Sequence, residues 1–234
     1  MNRFQFSGGS NLTTVVKNLL IINVLFFVAT FILEQKGVNL NQLLGVYYFD
    51  SPNFRYWQVL TYMFMHGGIG HIFFNMFALY MFGPILENIW GSQRFLYFYL
   101  ITAIGAVVLQ MGAQAIEMHI LTGDFTRHAI EATQVIQDKV DTIYYSPVIG
   151  ASGAIFGLLL AFGMLFPDAE LYIFFIPIAV KAKYMVPVYI VLELFLGVAQ
   201  FSGDSVAHFA HLGGALFGFI IIKIWNRGQS ARLQ

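Results

Sequence analysis

The stretch YWQVLTYMFMHGGIGHIFFNMFALYMFGPIL, Tyr56–Leu86, contains no Asp, Glu, Lys or Arg. A helix that crosses a bilayer needs roughly 20 mostly apolar residues. This run is too long for one crossing, and Gly67, Gly68 and Gly70 interrupt it. It therefore divides into an interfacial segment, Tyr56–Met65, and a span over Ile69–Leu86. The same rule, applied outward, predicts spans over Asn18–Leu33, Phe95–Ile116, Val148–Phe166, Tyr184–Phe201 and Ser205–Ile222, while Leu171–Val180 is too short to cross. The expected fold class is an all-α membrane protein, a six-transmembrane-helix bundle with both ends on one side.

Composition points the same way. Apolar residues make up 58% of the 234 and charged residues 10%, against about 25% charged in an ordinary globular chain. Twelve Lys+Arg balance twelve Asp+Glu, so no basic footprint for nucleic acid exists. The absence of cysteine excludes disulfides, thiolate chemistry and Cys-ligated metal. The expected organisation is a short cytoplasmic N-terminus (1–17), a membrane domain (18–225) with an outer-loop insertion (117–147), and a cytoplasmic tail (226–234). No repeat, low-complexity tract or signal-peptide pattern is evident.

Basic residues set the expected sidedness. With the termini inside, the inner face carries Arg3, Lys17, Arg94, Lys181, Lys183, Lys223, Arg227 and Arg232, and the outer face only Lys36, Arg55, Arg127 and Lys139. The predicted location is the inner or plasma membrane, with both termini cytoplasmic.

Polar groups within spans cost about 2.5–3.5 kcal/mol when charged and default to functional candidates. Three clusters stand out: His66-Gly-Gly-Ile-Gly-His71-Ile-Phe-Phe-Asn75, Gly150-Ala-Ser152-Gly153-Ala-Ile-Phe156-Gly157 and Ala207-His208-Phe-Ala-His211-Leu-Gly-Gly214-Ala-Leu-Phe-Gly218. They open spans two, four and six, which all run from the outer face inward. At 1.5 Å rise per residue, His71, Asn75, Ser152 and His211 lie within about 10 Å of the outer ends of their spans. They share a depth, in a pocket opening to the outer face.

A hydroxyl and imidazoles at one depth suggest acyl transfer by an activated serine. Ser152 is the candidate nucleophile and His211 the candidate general base. No carboxylate lies at this depth on spans two, four and six, so a dyad is expected. Phe156, one turn below Ser152, is placed to stack on His211. The oxyanion would meet the Ser152 backbone N–H at a helix start, joined by His71 and Asn75, which share a face at i and i+4. Gly153 with Gly157, and Gly214 with Gly218, form small-xxx-small patterns that permit close helix approach.

These residues resemble the rhomboid intramembrane serine proteases. The resemblance rests on His-x4-His-x3-Asn (His66, His71, Asn75), Gly-x-Ser-Gly (Gly150–Gly153), Ala-His-x2-Gly-x3-Gly (Ala210–Gly218) and Glu87…Gly-Ser-x-Arg-Phe ending at Phe95. It covers roughly Trp57 to Gly218 and implies a rhomboid-like bundle that cleaves transmembrane protein substrates among membrane lipids by a Ser–His dyad. It implies no metal, no cofactor and no ATP. His208 is also a candidate base; the family pattern selects His211, which has Gly at +3 and +7. Two features depart from the family: Phe54-Arg55-Tyr56-Trp57 only loosely matches its Trp-Arg pair, and the Glu117–Pro147 loop is longer than a minimal member needs.

Plainer roles stand beside these. Ser152 could bond back to its own helix, and His66 could tie the Gly-rich turn to a carbonyl. His208 reads as an orienting neighbour. Glu193 reads as a helix–helix hydrogen bond on the half of span five nearer neither cluster. Glu87 and Arg94 would pin the inner turn between spans two and three. His119 and His128 are expected to be solvated. Gly203, within Gln200–Ser205, is a candidate lid hinge. Three rival functions fit the residues less well: a haem or metal protein using His66, His71, His208 and His211 leaves Ser152 and Asn75 idle; an inactive binder of clients keeps a needless Ser152 and His211; a transporter lacks the inverted repeat.

Overall fold

The computed structural model describes residues 12–127, 133–172, 178–199 and 207–230. In chain order the elements are α1 (Thr14–Glu34), α2 (Leu40–Leu44), α3 (Gln58–Thr61), a 3-10 turn (Tyr62–Phe64), α4 (Ile69–Trp90), α5 (Ser92–Thr122), α6 (Gln134–Tyr145), α7 (Ser152–Leu165), β1 (Glu170–Tyr172), β2 (Ala179–Lys181), α8 (Ala182–Ala199) and α9 (His208–Ser230). Among the described residues, α1, α4, α5, α8 and α9 are long and apolar enough to cross a membrane. The expected fourth span is shorter. Its helix, α7, has 14 residues, about 21 Å at 1.5 Å each. Val148 pairs instead with Val46 in a bridge of two backbone hydrogen bonds, 2.9 and 2.8 Å.

Helix α7 runs through the centre, flanked by α5, α9 and α4. Side-chain size explains the tight flank. A Cβ on Gly214 would land on the Gly153 carbonyl, and one on Gly218 would meet the Gly157 backbone at 3.2 Å. Without a hydrophobic drive between helices in lipid, this close contact is what holds α7 to α9. By contrast, α1 and α8 turn large apolar side chains outward, among them Leu25, Phe31, Val188 and Val198. Lipid is the only solvent that accepts such surfaces at no cost.

Glu87 has a wider task than pinning the turn between α4 and α5. Its carboxylate accepts from the backbone N–H of Val15 at 3.1 Å and Val16 at 3.0 Å, and from the Ser92 hydroxyl at 2.6 Å. It thus caps α1 with a charge where a helix start leaves unpaired donors. Arg94 lies over the Trp225 ring at 5.9 Å. Replacing Glu87 by alanine strands two buried amides and is expected to lower stability by about 3 kcal/mol, read as a lower Tm in detergent.

The insertion expected as a loop over Glu117–Pro147 is partly ordered secondary structure. Helix α5 continues to Thr122, and α6 buries Val140, Ile143 and Tyr144 with Met118 and Tyr48 in a second small core. The Tyr144 hydroxyl donates to the Asp50 carbonyl at 2.5 Å, and Arg127 pairs with Asp141 at 2.7 Å. The Tyr48 hydroxyl donates to Phe125 O at 2.8 Å, and burial, then Asp50, pushes its phenol up to about 12, so it remains a donor. The run too short to cross forms the antiparallel pair β1–β2, with Leu171 opposite Val180.

Candidate active site

Gly150 prepares the site. Its φ of +131° lies where a side chain is strained, and a Cβ there would meet His71 Nε2 at 2.7 Å. Only glycine lets the chain pass beneath that imidazole and turn into α7. The Gly150 N–H donates to Tyr62 O at 3.0 Å, while the Tyr62 hydroxyl donates to Ala103 O at 2.7 Å. The interfacial segment thereby braces the entry to α7 against α5.

Ser152 is the first residue of α7, so its backbone N–H is among the donors that a helix start leaves unpaired. Its Oγ lies 2.8 Å from His211 Nε2, a good hydrogen-bond length. The Phe156 ring stacks on His211 at 4.4 Å and 6°, fixing the plane of the imidazole. The Ser152 hydroxyl is directed at another helix rather than spent on its own.

The second cluster lies on α4. Gly67 N–H donates to His71 Nδ1 at 3.4 Å, which leaves Nε2 to carry the proton as a donor. The buried His66 ring meets His71 edge-on at 5.0 Å. Burial, with His71 beside it, pushes His66 down to about 4, so it is neutral at pH 7. Asn75, one turn below His71, is 6% exposed, and its Nδ2 has no hydrogen-bond partner among the described residues. A buried amide donor without a partner is costly, and such a donor suits an anion that exists only during a reaction.

One residue corrects the sequence reading. Glu193 was expected away from both clusters, yet its Oε2 lies 2.9 Å from His211 Nδ1 and 2.6 Å from His208 Nδ1. A carboxylate therefore stands at the depth where none was expected, supplied by α8. The sequence held the signal. Counted along the sequence from Phe201, where its span was expected to end, Glu193 is eight residues in, about 12 Å, close to the depth expected for His211. His208 touches Glu193 rather than Ser152, and its ring stands 6.3 Å from that of His211. His119 stacks on Phe125 at 4.7 Å. His128 and the hinge candidate Gly203 lie outside the described residues.

Glu193, His208 and His211 are also a trio that could hold a metal ion. Two ligands of one tetrahedral zinc stand roughly 3.3 Å apart, given bonds of about 2.0 Å. The 2.6 and 2.9 Å separations are shorter and fit hydrogen bonds.

A family model described as the Rhomboid domain matches residues 53–227. Among curated proteins, the chain is 29% identical to RHOMBOID-like protein 12, mitochondrial, of Arabidopsis thaliana, over 94% of this chain and 60% of that protein. It is 30% identical to RHOMBOID-like protein 4 of the same plant, over 70% of this chain and 33% of the relative. It is 29% identical to Rhomboid protein 1, mitochondrial, of Saccharomyces cerevisiae, over 73% and 43%. The chain thus spans between a third and three fifths of the length of these relatives.

Proposed function

Because the chain belongs to the rhomboid family, we propose that it is an intramembrane serine endopeptidase that cuts transmembrane segments near the outer face. The observation that supports this best is the 2.8 Å contact between Ser152 Oγ and His211 Nε2. As Ser152 Oγ attacks the scissile carbonyl, His211 Nε2 takes its proton and then gives it to the leaving amine. The acyl-enzyme ester is opened by a water that His211 deprotonates, which restores Ser152. The Ser152 N–H, His71 Nε2–H and Asn75 Nδ2 are the proposed oxyanion donors.

In this reading α7 is the sixth crossing. Its ~21 Å falls about 9 Å short of a ~30 Å hydrocarbon core, which sets Ser152 below the surface, reached by water from one side. The basic-residue bias supports termini on the side opposite the site. Two of these relatives are named as mitochondrial, which does not support the plasma membrane expected from the sequence. Backbone accounting sets the substrate class: a carbonyl within an intact helix is hydrogen-bonded and shielded. Preferred segments therefore carry Gly or Pro near the cut and a small residue at the scissile position.

The test is covalent. The protein reconstituted in liposomes is expected to react with a fluorophosphonate at one site and to cleave a Gly-containing transmembrane peptide; Ser152→Ala is expected to do neither. Labelling that persists in Ser152→Ala removes the proposed nucleophile.

A further inference from the structure

A general base must present the right nitrogen. His211 can accept from Ser152 only if Nε2 is bare, which requires the neutral ring to carry its proton on Nδ1. Something must favour that tautomer, and in serine hydrolases generally an acid on Nδ1 does so. Phe156 fixes the ring plane but has no preference between tautomers.

Resting on the peptidase reading above, we propose that Glu193 is a positioning residue for His211, making the catalytic array Ser152–His211–Glu193 rather than a dyad. Its Oε2 accepts from His211 Nδ1–H at 2.9 Å, while Nε2 accepts from Ser152 at 2.8 Å. That assignment makes every short contact in the row a hydrogen bond. It also places a negative charge beside the ring at the moment it becomes imidazolium.

His208 explains how the carboxylate is held. The same Oε2 accepts from His208 Nδ1–H at 2.6 Å, so two N–H donors converge on one oxygen. The Glu193 side chain is 13% exposed and those of His208 and His211 are 8% and 11% exposed. A carboxylate so withdrawn from solvent needs such donors to stay ionised. Placement follows from the helices. Gly197, one turn above Glu193, has no side chain, and a Cβ there would meet His208 Cβ at 3.2 Å. Glycine at 197 lets α8 approach the start of α9 closely enough for Glu193 to reach both rings.

Two variants separate charge from orientation. Glu193→Gln keeps an oxygen for Nδ1–H but loses the charge; Glu193→Leu loses both. In Glu193→Leu, kcat for a transmembrane peptide is expected to fall roughly 10²-fold at unchanged KM. That is less than the ~10⁴ loss seen for a triad carboxylate elsewhere, because Phe156 still clamps the ring. Glu193→Gln is expected to fall between the Leu variant and the parent. A merely structural carboxylate would not govern the tautomer, so the decisive readout is the ¹⁵N-histidine NMR spectrum of the protein in liposomes at neutral pH. The His211 signal, assigned by its loss in His211→Ala, is expected as the Nδ1–H form in the parent and in Glu193→Gln, and as a mixture in Glu193→Leu. A pure Nδ1–H signal in Glu193→Leu, or a parental kcat in that variant, overturns the proposal. Should the parent cleave nothing and resist fluorophosphonate, the peptidase reading fails, while the tautomer comparison still decides the role of Glu193.

Discussion

Proteoliposomes carrying His211→Ala are expected to cleave a transmembrane peptide about 10⁶-fold more slowly than the parent, with KM little changed. The loss is large because His211 serves both halves of the proposed cycle, taking the proton from Ser152 and delivering it to the leaving amine. Both tasks depend on the 2.8 Å contact with Ser152 Oγ and on the plane that Phe156 imposes at 4.4 Å. Groups that act as a unit do not add. The double variant Ser152→Ala/His211→Ala is therefore expected to be no slower than the worse of the two single variants. Further loss in the double variant would mean that the two side chains act separately.

The second large effect is one of packing. Gly214→Leu is expected to unfold the bundle in detergent or to lower its stability by more than about 3 kcal/mol, beyond the usual 1–3 kcal/mol for overpacking. The new side chain would begin on the Gly153 carbonyl, and backbone cannot rotate out of the way as a flexible side chain can. Separating α9 from α7 also draws His211 from Ser152, so fluorophosphonate labelling is expected to disappear with the fold. Gly68→Ala is the matched control. A Cβ there meets nothing within 4 Å, and the local φ of 176° is ordinary extended backbone, so its Tm should stay near that of the parent. Equal losses in both variants would refute the steric account.

Much of the site was legible in sequence because two kinds of information coincided. Charge-poor runs located the spans, basic residues set their expected direction, and that direction put three separated clusters at one expected depth. The Ser152–His211 pair and the stacking of Phe156 follow from that shared depth. Glu193 fell outside this reading because only spans two, four and six entered the depth argument. A helix of the opposite direction reaches the same level nearer its end, and α8 brings Glu193 to His211 in this way. Helix α6, within the 117–147 insertion, escaped the sequence reading for a different reason. Its apolar residues Ile136, Val140, Ile143 and Tyr144 have helical spacing, but they are too few to register in a search for long apolar runs. The start of α7 was misplaced because Val148–Ala151 is as apolar as the helix it precedes. Hydropathy cannot see that its first residues are extended.

The cap on α1 carries a consequence for biogenesis. Val15 and Val16 donate to a carboxylate that lies 72 and 71 positions further along the chain. During synthesis α1 leaves the ribosome well before Glu87 exists, so its first turn must wait for α4 to arrive. Maturation of that end is therefore obligately late, and a nascent chain halted before Glu87 would offer quality-control machinery a frayed, unsealed helix.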